Sequence, residues 1–567
     1  TQIIYPFAAH AVTINGRRAL LYANAEGAVA WGLTEKTENE AVYAVRLNSE
    51  DGEPLAEIRR HYILDPDSYE LHCKQSIRNL TDGPLQVRWE QNGYVDLPQD
   101  RANYGGDRRG VIGAYFDLGY DPTRRFIATD GLYLYRTDII ELLKEDKEPV
   151  NFPADRMAEE DDLAWSAFIN RYFAAAIHQT VGELTDTAEL PPLDALFPDQ
   201  RIVGVGRGDA MQTFIRLTSR EQVIPAGSGA DLDLTLFSGP RKSEVFEEAP
   251  YAAMKFEELI IYEMGCTWCT FQPIAHLLLA MLKVFHSVVF DWGIAIILLV
   301  IIVRLLLHPI TKKSQINMMK MGKQMQALQP EMEKLKKKYK DDQQRFQQEQ
   351  LKLFREKGVN PMNMLGCLPM LLQMPIWIAL YAMLFFAIEL RHEPAFYGVF
   401  QNLTNGAWPF LQDLSAPDNF IRFSDEPVRV GFPLLNMLDF SALNVLPILW
   451  AVVMYFNQKF LTPPATSEQA AQQQKMMRFM VILFPLFLYS APSGLTLYIC
   501  ASTASGMLDS YIVRKHIKEQ EEAGTLFEKK ERKPGGFLDK LTKLAEEKQR
   551  EMEAKKREME KKQKRNK

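Results

Sequence analysis

Apolar and polar positions along this chain follow three periods in succession. Up to about residue 250 they alternate in many short stretches, such as Ala41-Val42-Tyr43-Ala44-Val45-Arg46-Leu47, Leu85-Gln86-Val87-Arg88-Trp89 and Leu232-Asp233-Leu234-Thr235-Leu236. Alternation puts successive side chains on opposite faces of a strand, and Gly, Pro, Asn and Asp punctuate the stretches as turns do, so an all-β sandwich of roughly 250 residues is predicted. From Trp292 to Lys312 the chain is almost continuously apolar over 21 residues. A helix of that length rises roughly 30 Å, the thickness of a bilayer's hydrocarbon core. Beyond it, Ile316, Met319, Met325, Leu328, Met332, Leu335 and Tyr339 recur at threes and fours or their sums, and Phe346 and Leu353 follow after Asp341-Asp342. This is the apolar face of polar helices, closed by Gly358-Val359-Asn360-Pro361, and it predicts an antiparallel helical hairpin over 312–360.

Apolar segments of spanning length then return. Five spans are predicted, at about 291–309, 365–389, 443–460, 476–490 and 495–513, with Pro309 ending or kinking the first. The second contains Pro369 and Pro375. A loop through Pro463-Pro464 and the Gln-rich Gln469 to Gln474 leads to the fourth, and Ala491-Pro492-Ser493-Gly494 allows only a tight turn before the fifth. The fifth is unusually polar, carrying Thr496, Tyr498, Ser502, Thr503, Ser505 and Asp509, which should face protein or water rather than lipid. Residues 271–290 are apolar but interrupted by Pro273, His276, Lys283 and His286; they read as an amphipathic helix in the outer interface, within a connector at 256–290.

Charge orients these segments. The overall −6 hides a front half, residues 1–255, with net −15, and two basic segments, 312–357 and 511–567, with net +7 each. Basic segments stay on the cytoplasmic side. The hairpin and the tail at 516–567 are therefore expected inside, and the sandwich at 1–255 and the loop at 392–435 outside. The chain begins at Thr1 without an apolar leader, so an export signal or anchor helix is expected upstream. The result is a multi-domain membrane protein: an extracytoplasmic all-β sandwich domain, then a five-helix transmembrane bundle at 291–515 with a cytoplasmic helical hairpin.

One residue breaks the apolar logic of the first span. Arg304 lies eight residues before Lys312, about 12 Å inside the cytoplasmic face at helical rise. A charge at that depth costs about 2.5 kcal/mol or more unless it snorkels, finds a partner or faces water, and so marks a functional site by default. The polar face of the fifth span, with Tyr498 and Ser502, and Gln458 near the inner end of the third are the expected lining. Met318, Met325 and Met332 lie among lysines of the hairpin and offer an adaptable surface to apolar partners; closing the hairpin seam is their alternative role. The basic tail suits ribosomal RNA or anionic lipid, or simply solubility.

Other chemistry has little support. Cys73, Cys266, Cys269, Cys367 and Cys500 are too few and scattered for a disulfide framework. Cys266-Thr-Trp-Cys269 has redox or metal spacing, but no second pair or histidine cluster accompanies it. No paired carboxylates stand out from the solvated acids of the front half. No enzyme activity, cofactor or metal is expected.

Particular motifs carry a resemblance. Val303-Arg304 followed by His308-Pro309-Ile310-Thr311-Lys312, Leu328-Gln329-Pro330, Asp341-Asp342, Val359-Asn360-Pro361, Gly366-Cys367 with Pro369, Gln373-Met374-Pro375, Glu389-Leu390-Arg391, Gln458-Lys459, and Pro492-Ser493-Gly494-Leu495 with Leu497-Tyr498 stand in the order and spacing of the YidC family of membrane protein insertases, which bacteria share with mitochondria and chloroplasts. The resemblance covers about residues 271–515; the front half is similar to the family's periplasmic β-domain only in size, place and strand character. His308 and Ser490 depart from the family pattern, where aromatic residues are often found.

The resemblance implies a bacterial inner-membrane protein whose five helices enclose a water-filled groove, open to cytoplasm and lipid and closed outside, with Arg304 as the groove arginine. It implies an insertase and folding chaperone that passes client transmembrane segments into the membrane, alone or with the Sec translocon. Nascent membrane proteins, ribosomes and the lipid bilayer would be its partners, with no small-molecule substrate. Two other classes compete. A solute transporter or channel using Arg304 as an anion site predicts an internal repeat and several polar spans, whereas one span here is strongly polar. A tethered glycan-binding module needs one span, not five.

Overall fold

A computed structural model describes residues 4–523 apart from 23–29, 100–105, 117–126, 130–131, 146–147, 154–160, 183, 185, 207–209, 263–271, 340–341, 357–367, 425–427, 429–438 and 462–467. Cys266 and Cys269 lie outside the described residues. The chain divides into two compact units, residues 1–309 with 367–508 and residues 310–366 with 509–567.

The alternating front half forms two antiparallel sheets. The smaller runs Val150–Asn151, Asp199–Val205, Gln212–Thr218, Leu85–Val95, Ala9–Ile14, Arg17–Leu20, with Gln222–Ile224 pairing to Leu85–Val95. The larger centres on Gly110–Phe116, Asp162–Ile169, Phe173–Gln179, Leu234–Pro240, Glu70–Asn79 and Pro54–Leu64. Leu85, Val87 and Trp89 are buried while Gln86 and Arg88 are exposed, as alternation requires. Between the sheets, Trp89, Tyr94, Phe168, Ile177, Ile215 and Leu217 belong to one core. Short helices α1 (Arg136–Glu145), α2 (Leu193–Leu196) and α3 (Ser243–Phe246) flank it. At one end Asp96 pairs with Arg136 at 2.7 Å and Arg109 at 3.2 Å, and Asp107 with the same arginines at 3.3 and 2.8 Å. Burial raises the Asp96 carboxyl above its ordinary range in spite of both cations. At Asp107 burial is outweighed by hydrogen bonds from Arg109, which hold the carboxyl low.

The helical half comprises α4 (Gln272–Val289), α5 (Trp292–Lys338), α6 (Gln343–Glu356), α7 (Leu368–Phe386), α8 (Val399–Leu403), α9 (Val445–Leu461), α10 (Glu468–Phe487) and α11 (Ser493–Glu522). Among the described residues, α4 and the stretch Trp292–Asn317 of α5 are long and apolar enough to cross a membrane. Two helix starts are held by buried aspartates. Asp291 accepts from the Ile294 amide at 2.7 Å and from Tyr397 at 2.6 Å. Asp418, 1% exposed, accepts from the Val445 and Leu446 amides at 3.0 and 2.8 Å, satisfying the free donors that begin α9.

Two expectations of helix limits are corrected. Pro309 does not end α5, which continues to Lys338; proline's fixed φ is helical, and the missing N–H removes a single bond from a 47-residue ladder. Gln469 to Gln474 are not loop but the first turns of α10, because glutamine is a good helix former. α11 continues beyond the expected span to Glu522, with Val513 and Ile517 buried against Ile316. In the same unit, Leu328 of α5 and Phe354 of α6 are buried together, with Met332 packed on them.

The β-domain is fastened to the helices by one apolar core and a few charges. Ile112, Trp165, Ala176 and Phe237 of the larger sheet share a cluster with Leu278 and Leu282 of α4, Leu299 of α5, Leu384 of α7 and Leu495 of α11. Arg171, on the turn before Phe173–Gln179, donates Nε to the Phe385 carbonyl at 2.7 Å and lies 4.0 Å over that ring, so it caps the C-terminal end of α7. Arg241 bonds the carbonyls of Leu259, Asn170 and Ile261, and full burial lowers its guanidinium to about 10. Lys283 of α4 joins Glu244 of α3 at 2.7 Å to Glu389, just beyond α7, at 2.8 Å.

Glu389 is only 6% exposed, so Lys283 pairs with a carboxylate largely removed from water. Removing one partner of a buried pair costs about 3–5 kcal/mol, more than removing both. Lys283→Met should therefore lower the thermal midpoint in detergent, and Lys283→Met with Glu389→Gln should recover most of the loss. Additive losses in the double variant would show that the two residues do not act as a pair.

Candidate functional site

Arg304 stands on α5 where residues 300, 303–304 and 307 recur with helical period, which gathers them on one face. That face meets α7 and α11. Val300, Val303, Arg304 and Leu307 from α5, Ile376, Trp377 and Leu380 from α7, and Tyr498 and Ser502 from α11 line a cavity of about 20 Å³. It has room for about one water. Its walls are apolar except where the guanidinium, the phenol and the hydroxyl converge.

The half-buried guanidinium is held from one side. Its Nη2 donates to the Ser502 carbonyl at 2.9 Å and to the Ser502 hydroxyl at 3.0 Å. Among the described residues no carboxylate lies within ion-pair distance of it. Tyr498, 5% exposed, sits one turn before Ser502 on α11. Because an arginine side chain keeps its charge at any physiological pH and has five donors, two bonds to neutral acceptors leave both charge and donors for an incoming acceptor. The arrangement can attract an anion or a hydrated polar group.

Arg304, Tyr498 and Ser502 are thus brought together, as the polar face of the fifth span predicts. Gln458 is half-buried on α9 and is not among the residues lining this cavity. Trp450 of the same helix reaches α11 instead, donating Nε1 to the Thr503 hydroxyl at 2.9 Å. Met332 is part of the α5–α6 contact with Leu328 and Phe354, the seam role rather than a free surface. The side chains of Met318 and Met325 lie outside the described residues. Sequence reading missed the apolar wall of Ile376, Trp377 and Leu380; their spacing is helical, but every side of that span is apolar, so no period singles them out.

An arginine lodged between apolar helices behind a β-rich domain defines a membrane protein with a polar site inside its helical part. The family models of the 60 kDa inner membrane protein and of the YidC periplasmic domain match residues 284–521 and 21–277. The membrane protein insertase YidC of Actinobacillus succinogenes is 30% identical over 463 residues, covering 82% of this chain and 69% of the relative. The chain belongs to the YidC family of membrane protein insertases. The YidC of Syntrophobacter fumaroxidans is 37% identical over 65% of this chain and 57% of its own length, and that of Haemophilus influenzae 33% identical over 52% and 45%. The chain thus spans less than two thirds of the length of these last two relatives. A solved structure of an active YidC insertase with its first transmembrane domain resolved aligns over 89% of this chain and 87% of its own at 18% identity, with a TM-score of 0.30.

The cavity geometry separates Ser502 from Gln458. Ser502→Ala deletes the hydroxyl bond and leaves the carbonyl bond, a loss of about 1 kcal/mol, so phenylglyoxal should modify Arg304 a few-fold faster in detergent-solubilised protein. Gln458→Ala should leave that rate unchanged. Mass spectrometry of the modified peptide reads both, and the opposite ranking would place Gln458 rather than Ser502 on the guanidinium.

Proposed function

We propose that this chain inserts transmembrane segments of client proteins into the bacterial inner membrane, alone or with the Sec translocon. One observation carries the reading: a charged guanidinium at 304, held among the described residues by neutral acceptors of α11, beside a small cavity between apolar helices. In this reading α5, α7, α9, α10 and α11 provide the five spans of a bundle. The sandwich at 1–255 and the loop at 392–435 face the periplasm, the connector at 256–290 lies in the outer interface, and the hairpin at 312–360 and the tail after 515 are cytoplasmic. The charge split of −15, +7 and +7 supports that orientation. The hairpin receives clients, and the tail meets the ribosome.

The chemistry is electrostatic and steric. A cavity that holds about one water is too small for a peptide, so a client's hydrophilic tail enters by parting Ile376, Trp377 and Leu380 from Arg304. Inside, the guanidinium offsets part of the cost of taking an acidic tail out of water. The client's apolar segment meanwhile moves along the exposed apolar faces of the spans into lipid, and the tail crosses as the segment settles.

An acidic group 4 Å from Arg304 gains about 4 kcal/mol at an effective dielectric of 20, and a third of that gain is about tenfold in rate. Arg304→Ala should therefore slow insertion of acidic-tailed clients into proteoliposomes by about tenfold and neutral-tailed clients much less. Arg304→Lys should largely restore the difference because a point charge suffices. Equal effects on both client types would show that the arginine is not an electrostatic receptor and favour local bilayer thinning. A second test concerns the tail. Truncation after Ala523 should reduce ribosome co-sedimentation at low salt, since phosphate contacts are salt-sensitive, while post-translational insertion of a short client continues. Unchanged ribosome binding would remove the tail from the reading.

A further inference from the structure

Resting on that reading of Arg304, we infer that Gly506 is a positioning residue for the groove arginine: its missing side chain is the notch against which the guanidinium lies. Ser502 and Gly506 are four residues apart on α11, hence one above the other on a single face. Tyr498 is one turn further back on the same face. A Cβ on Gly506 would sit 3.2 Å from both Nη1 and Nη2 of Arg304 and 3.3 Å from Cζ. Contact with all three terminal atoms at nearly one distance means that the guanidinium plane lies over the Gly506 backbone. The same Nη2 that would meet the added carbon is the one donating to the Ser502 carbonyl and hydroxyl.

Glycine is otherwise a poor choice there. Position 506 lies inside a 30-residue helix, where alanine would favour the helical conformation. Its backbone is ordinary right-handed helix, so no strained φ demands glycine. What it permits is close approach. With a Cβ at 506 the guanidinium must shift by a few tenths of an ångström, which lengthens the Nη2 bonds to the Ser502 carbonyl and hydroxyl from 2.9 and 3.0 Å. The notch thus keeps Arg304 drawn onto α11 and leaves its other donors facing the cavity. It suits a flat guanidinium more than an ammonium, which carries no fork to collide with a methyl group.

The test uses the full chain in detergent and in proteoliposomes, with Gly506→Ala, Arg304→Lys and the double variant. Gly506→Ala should speed phenylglyoxal modification of Arg304 by about two- to fivefold, the ratio set by weakening hydrogen bonds worth about 1 kcal/mol each, with a thermal midpoint equal to or above wild type. It should also depress insertion of acidic-tailed clients more than neutral-tailed ones. In the Arg304→Lys background the same alanine should have little further effect. An unchanged modification rate, or an alanine effect equally large with lysine at 304, would overturn the positioning role and make Gly506 a helix-packing residue. Faster modification with no selective loss of acidic-tailed clients would uphold the notch and instead overturn the electrostatic reading of the groove.

Discussion

A guanidinium cannot shed its charge, and this constraint organises the helical half of the molecule. Arg304 sits on a helix whose neighbouring positions are Ile301, Ile302, Leu305 and Leu306, all exposed and apolar. The free energy of holding a cation there is tolerable only if another element brings acceptors to it. α11 does so with a backbone carbonyl, a hydroxyl and a glycine notch. Neutral acceptors stabilise the charge without cancelling it. A carboxylate in the same place would form a closed pair, satisfying the arginine and leaving little electrostatic attraction for anything else. The site therefore combines structural satisfaction with residual chemical demand.

The same device recurs where the β-domain meets the helices. Arg171 and Arg241 both donate to backbone carbonyls. Chain reversals and helix ends leave carbonyls without partners, and a planar fork of donors can satisfy several at once. Lys283 forms an ion pair with acids on both sides. Around these polar points one apolar cluster runs from the larger sheet through α4 to α7 and α11. Segments of α4, α5, α7 and α11 are thereby built into the sandwich's packing, while Asp291 and Asp418 fasten the loop between α7 and α9 to the starts of α5 and α9.

Much of this was legible in the order of residues. Alternation in the front half, a continuous apolar run, and a renewed helical period depend only on local geometry, so sheets, membrane helices and the α5–α6 contact follow from them. A charge inside an apolar run singled out Arg304, and the density of hydroxyls singled out the polar face of α11. Helix limits were less legible, because Pro309 and the glutamine run were judged as local signals. A long hydrogen-bonded ladder outlasts one missing donor, and packing of Val513 and Ile517 extends a helix beyond its apolar stretch.

By itself, the sequence determined which segments are apolar enough to leave water and that Arg304 needed partners. Only the tertiary structure decided who those partners are. Ser502 and Gly506 lie about two hundred positions away, in a helix where serine and glycine carry no local signal, and Ile376, Trp377 and Leu380 come from a span with no polar face. Gln458 looked equally suitable, but it is not among the residues lining the cavity. Hydrogen bonding and steric clearance act over a few ångströms in space, and separation along the chain does not encode them.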